Sequence, residues 1–105
     1  MNKSLSPTKA ELTLSDNRHD ARKLADLAFA YSWPTTRISF PEDTFSLELN
    51  HSSRLYIDEE KKEGILKESD REVFRGNLIE KSAVDGFTKI VLVSNGLKAT
   101  FIIAQ

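Results

Sequence analysis

The chain contains no cysteine and only three prolines, four glycines and one tryptophan in 105 residues. Without cysteine there is no disulfide framework, no thiolate nucleophile and no thiolate metal site. Lysine and arginine number 15 against 16 aspartates and glutamates. No field of one sign therefore draws the protein toward nucleic acid or an anionic membrane. No apolar run reaches the length that spans a bilayer, and Met1–Pro7 lacks the apolar centre of a secretion signal. A cytoplasmic protein with no membrane partner is the expectation.

What is present is ordinary for a globular domain: 39% hydrophobic and 30% charged residues, too apolar for a disordered chain. At this length roughly two-thirds of the unfolded surface can be buried, enough for a single core without staples. Residues 1–8 are polar and contain Pro7, so they read as a flexible tail, with one domain over 9–105.

The most specific signal lies near the end. Phe87-Thr88-Lys89-Ile90-Val91-Leu92-Val93-Ser94 and Leu97-Lys98-Ala99-Thr100-Phe101-Ile102-Ile103-Ala104 flank Asn95-Gly96. Two β-branched-rich runs around that dipeptide predict a tight hairpin. Its two-residue loop pairs Ser94 with Leu97, Leu92 with Ala99, Ile90 with Phe101 and Thr88 with Ile103. Paired residues share a face, so Ile90, Leu92, Leu97, Ala99, Phe101 and Ile103 line the core. The other face carries Phe87, Lys89, Val91, Val93, Lys98, Thr100, Ile102 and Ala104. A slip of one residue would bury both lysines.

Ala10–Leu14 is either a short strand or the lead-in to a helix. Ser15 or Asp16 supplies an N-cap, and the helix runs to about Ser32, because Pro34 disfavours helical geometry at Trp33. Ala21, Leu24, Ala25, Leu27, Ala28 and Tyr31 make its apolar face. Alternation then takes over around Thr36, Ile38 and Phe40, around Phe45, Leu47 and Leu49, and around Leu55 and Ile57, the pattern of half-buried antiparallel strands. Asp58–Gly64 reads as a charged turn or loop. Residues 69–84 carry a capping-box pattern at Ser69–Glu72, but Gly76-Asn77 and the turn signal Asp85-Gly86 favour a strand with a bulge at Gly76.

The expected fold is α+β: one N-terminal helix packed on a twisted antiparallel sheet of five or six strands, mostly a meander. Its expected core is Leu24, Leu27, Ala28, Tyr31, Ile38, Phe40, Phe45, Leu47, Leu49, Leu55, Ile57, Ile90, Leu92, Phe101 and Ile103.

Arg71 and Arg75, followed by Ser82 and Gly86, resemble the arginine pair and serine-glycine motif of the cyclic-dinucleotide-binding PilZ domains. In that family the arginines lie well upstream and the motif is Asp/Asn-x-Ser-x-x-Gly. Here Glu80 stands first and one extra residue precedes Gly86, so no family is assigned.

Nothing in the sequence assembles a catalytic, cofactor or metal motif. His19 beside the helix start lacks companion ligands at metal spacing, and His51 in Asn50–Ser53 reads as a turn residue. Asp58-Glu59-Glu60 lacks the alternation of a calcium loop. The expectation is a non-enzyme with no cofactor and no metal. The outer hairpin face is the one positive clue: Phe87, Val91, Val93 and Ile102 form an apolar stripe bordered by Lys89 and Lys98. Either the N-terminal segment or the 59–72 loop covers it, or another protein or a second copy does.

The function this points to is a protein-interaction or regulatory module that forms a homodimer through the stripe. In size and character the chain resembles small inhibitors, immunity factors and accessory proteins of mobile elements. The alternative is a small-ligand binder with a pocket between helix and sheet near Tyr31, Trp33 and Tyr56. Trp33 either plugs the end of the core or, if exposed near Arg37, anchors a partner. A nucleic-acid-binding accessory protein is third. Arg37, Arg54 and Tyr56 share a face there, but Glu48 and Asp58 on the same face would repel phosphate.

Overall fold

Asn95 and Gly96 both adopt positive φ, 49° and 81°, the geometry whose twist matches paired strands. They join β8 (Phe87–Ser94) to β9 (Leu97–Ala104). The register is the one the sequence predicts, with Leu92 opposite Ala99 and Ile90 opposite Phe101. Asp85 and Gly86, at 42° and 83°, make a second such turn, leading back into β7 (Arg71–Val84). Residues 71–84 are thus a strand. It carries two irregularities, one at Val73 and one at Ile79, while Gly76 pairs regularly with Gly64.

The computed structural model describes residues 2–16, 20–31, 33, 35–39 and 45–104. Its remaining elements are β1 (Asn2–Leu5), β2 (Lys9–Leu14), α1 (Ala21–Tyr31), β3 (Thr35–Ser39), β4 (Phe45–Leu49), β5 (Ser53–Asp58) and β6 (Glu63–Glu68). The fold is α+β and dominated by antiparallel sheet, with strand order β1-β5-β6-β7-β8-β9-β2-β4-β3. Three expectations are corrected. Among the described residues the helix is internal, after two strands, and the sheet has nine strands rather than five or six. Asn2–Leu5, read as part of a flexible tail, pairs with β5.

The stretch expected to be a charged loop runs only from Glu59 to Lys62. There Asp58 Oδ1 accepts the backbone N–H groups of Glu60 and Lys61 at 3.1 and 3.2 Å, and Lys62 takes φ 55°. Glu63 already belongs to β6. The cap of α1 is Asp20, whose Oδ1 accepts the Lys23 N–H at 3.1 Å. Ser15 and Asp16 instead form the turn after β2.

The sheet closes on itself. β1 and β2 lie on one stretch of chain, β4 and β5 on another, and the two stretches pair twice, β1 with β5 and β2 with β4. Following hydrogen-bonded neighbours from β2 through β9, β8, β7 and β6 leads to β5 and back to the same two stretches. The result is a barrel-like ring of antiparallel strands, with β3 on the outer edge of β4. Closure removes most exposed strand edges.

Inward residues alternate along each strand: Ala10, Leu12 and Leu14 on β2, Phe45 and Leu47 on β4, Leu55 and Ile57 on β5. Each fully buried Leu, Ile or Phe contributes roughly 1.5–3 kcal/mol. Leu24 and Ala28 of α1 join the same cluster, and Leu27 packs against it. Of the other expected core positions, Phe40 lies outside the described residues, as do the side chains of Ile38 and Tyr31. Trp33, Leu66, Val73 and Phe74 are buried in addition.

Candidate functional site

The outer hairpin face exists as the register predicts, but its parts differ in exposure. Phe87 is 47% exposed, and Ile79 on β7 is 57% exposed. Val93 and Ile102 are half-buried, as are Lys89 and Lys98. Val91, in the middle, is only 2% exposed within the single chain. Beside it, the irregularity in β7 sets both Ile79 and Glu80 against Val91 instead of one residue. Glu80 also reaches Lys89 Nζ at 3.4 Å, across the diagonal next to Val91. Neither the N-terminal segment nor the 59–72 region is a flap over the stripe; both supply strands to the sheet.

The residues suggested for a helix–sheet pocket are not brought together. Trp33 is 6% exposed, its ring centroid 5.3 Å from that of Phe74 and 5.8 Å from that of Phe101. It is the plug of the core rather than an exposed anchor. Its indole N–H has no partner among the described residues. Tyr56 alternates with buried Leu55 and Ile57, so the sheet separates it from Trp33, and Lys67 Nζ sits 5.5 Å from its ring centroid. The side chains of Tyr31 and Arg37 lie outside the described residues, as does His19.

The outer face of β5, β6 and β7 is laced with ion pairs. Arg75 bridges Glu63 and Glu72. Its hydrogen bond is the main reason the Glu72 carboxyl is held below its ordinary pKa; the positive charges of Arg75 and Lys67 add to this, and desolvation opposes it. Arg54 and Tyr56 share this face with Asp58, as the β5 alternation predicts. Among the described residues no group of His, Asp and Glu side chains is placed to hold a metal ion. No helix among them is long and apolar enough to cross a membrane.

A second site was not foreseen. Ser6, Pro7 and Thr8 separate β1 from β2, while the opposing stretch runs from Leu49 to Arg54 across the same gap. Pro7 has no N–H for a ladder, and pairing breaks there. Thr8 resumes it, donating to the Ile102 carbonyl at 3.1 Å and accepting from the Leu49 N–H at 3.0 Å. The longer stretch is thrown into a turn at His51-Ser52, and a cleft of about 670 Å³ opens between the two.

Pro7, Leu49 and Ser53 are the buried part of its lining; Lys9, Glu48, His51 and Arg54 are its charged and titratable part. Lys9 and Glu48 stand opposite each other in the β2–β4 ladder. Arg54 Nη1 donates to the carbonyls of His51 and Ser53 at 2.9 and 3.0 Å. The Ser53 hydroxyl, on a residue 1% exposed, has no partner among the described residues. The one sequence signal for this cleft is Pro7 inside a stretch that otherwise pairs on both sides.

Compared with protein-family models, curated proteins and solved structures, the chain matches none.

Proposed function

We propose that this protein is a non-enzymatic interaction module that self-associates through the outer face of its C-terminal hairpin. The observation that carries the reading is Phe87, a large aromatic 47% exposed at the end of a face where Val93 and Ile102 are half-buried. Isolated exposed apolar residues need no partner. Here, though, Phe87 adjoins a face that also presents Ile102 and the oppositely charged Lys89 and Glu80. A patch whose charges are already balanced within the chain, Lys89 against Glu80, meets a second copy of itself without like-charge repulsion, and a two-fold interface uses the same surface on both copies. A role as a small inhibitor or accessory protein fits the same surface.

Light scattering across a concentration series tests the reading. Wild type is expected to dimerise and Phe87→Glu to be monomeric and folded, because Phe87 contributes little to the core. Val91→Glu is unsuitable, since Val91 is buried within one chain and a charge there would unfold it. A wild type that stays monomeric at high micromolar concentration removes the proposal.

A further inference from the structure

We infer that the cleft between the Ser6–Thr8 and Leu49–Arg54 segments binds a small polar metabolite by a terminal phosphate or carboxylate. It uses none of the hairpin residues, and it adjoins the association face only where Lys9 stands opposite Ile102 in the β2–β9 ladder.

The volume, about 670 Å³, lies within the range of small-molecule sites. The lining supplies two cations, Arg54 and Lys9, whose Nζ already lies 3.4 Å from Glu11, against one carboxylate, Glu48. Arg54 is the anchor. Its Nη1 is spent on two backbone carbonyls of the adjoining turn, which holds the guanidinium at the edge of the cleft. Nε and Nη2 then remain as a parallel pair of donors. Such a fork matches two oxygens of a phosphate or carboxylate and is already ordered before the ligand arrives.

Strand pairing is interrupted over residues 50–52, between the β2–β4 and β5–β6 ladders, which opens the cleft beside the Arg54 guanidinium. The ligand class is a short organic acid or phosphate ester, held at its anionic end by the Arg54 fork.

The test titrates the full chain, observed by backbone amide NMR, with glycerol 3-phosphate and separately with glycerate. These share hydroxyls and differ in the anion, so they separate phosphate from carboxylate recognition. Saturable shifts at Thr8, Lys9 and His51–Arg54 with either probe are expected. Arg54→Gln should weaken binding about tenfold, the loss of a charge-assisted fork, and Arg54→Lys should restore it only in part. Arg22→Gln on the exposed side of α1 should change nothing. If Arg54→Gln disturbs the turn, Lys9→Gln serves as the second variant and should also weaken binding. Absence of saturable shifts with both probes overturns the inference. So does binding that the Arg54 and Lys9 variants leave intact.

Discussion

A Cβ placed on Gly64 would stand 2.6 Å from Leu92 Cδ2 and 3.0 Å from Ile57 Cδ1. Gly64 faces inward between β5 and β7, directly paired with Ile57 and Gly76. The Leu92 side chain therefore occupies the space a larger residue would need. The ring can be this tight because one strand carries no side chain at that point. Gly64→Ala is expected to cost about 1–3 kcal/mol as Leu92 is pushed from its rotamer, and Gly64→Val more. Urea unfolding of the two variants checks the order; wild-type stability in both would show that the core is looser than described.

The Trp33 indole is buried against Phe74 and Phe101, yet its N–H has no partner among the described residues. Two terms therefore oppose each other in Trp33→Phe. Lost volume destabilises, and removal of a buried unpaired donor offsets it by about 1–3 kcal/mol. The net change should be small, below about 1.5 kcal/mol. Trp33→Ala, with only the loss, should cost about 3–5 kcal/mol. Equal costs for the two substitutions would place a hydrogen-bond partner at the indole.

Asp20 closes the first turn of α1 through the Lys23 N–H. Asp20→Ala is expected to cost about 1 kcal/mol, whereas Ser15→Ala, exposed in the turn after β2, should stay within about 0.5 kcal/mol of wild type. Thermal melts of the pair decide which residue caps the helix.

Glu72 makes a small acid-sensitive contribution. Its carboxyl is held below the ordinary value chiefly by the Arg75 hydrogen bond, so the unfolded chain takes up its proton first as pH falls. The stabilisation is complete above the unfolded carboxylate value and is lost as pH drops through the lower native one. Glu72 is nearly half exposed, and solvent screening limits the effect to about 0.5 kcal/mol or less. Unfolding free energies at neutral and acid pH should converge for wild type and Glu72→Gln at the acid end. A gap that persists there would trace to packing instead of charge.

The elements legible in the sequence are those in which local chemistry and periodicity agree. Asn95-Gly96 dictated both turn and register, and alternation in Phe45–Leu49 and Leu55–Ile57 marked the buried face. β6 was missed because its inward positions are Gly64 and Leu66, one without a side chain, and the outward Ile65 between them is apolar, so no period of two shows. The long β7 was half-legible: its irregularity at Val73 buries Val73 and Phe74 in succession, which mimics neither strand nor helix spacing. Ring closure and the cleft depend on pairing between residues far apart in sequence, Lys9 with Glu48 and Leu5 with Leu55, and periodicity carries no information about that. The hairpin register, and with it the outer placement of Phe87, was legible. The burial of Val91 was not: alternation along β8 puts it on the outer face, yet it is 2% exposed.

The most direct test of the association surface exploits the lack of cysteine. A single spin label at Ala104→Cys sits on an exposed position paired with Phe87. Pulsed dipolar spectroscopy should show coupling between labels on two copies in the otherwise wild-type chain, and none when Phe87→Glu is added. Uncoupled labels at high micromolar concentration, or coupling that survives Phe87→Glu, would contradict the account.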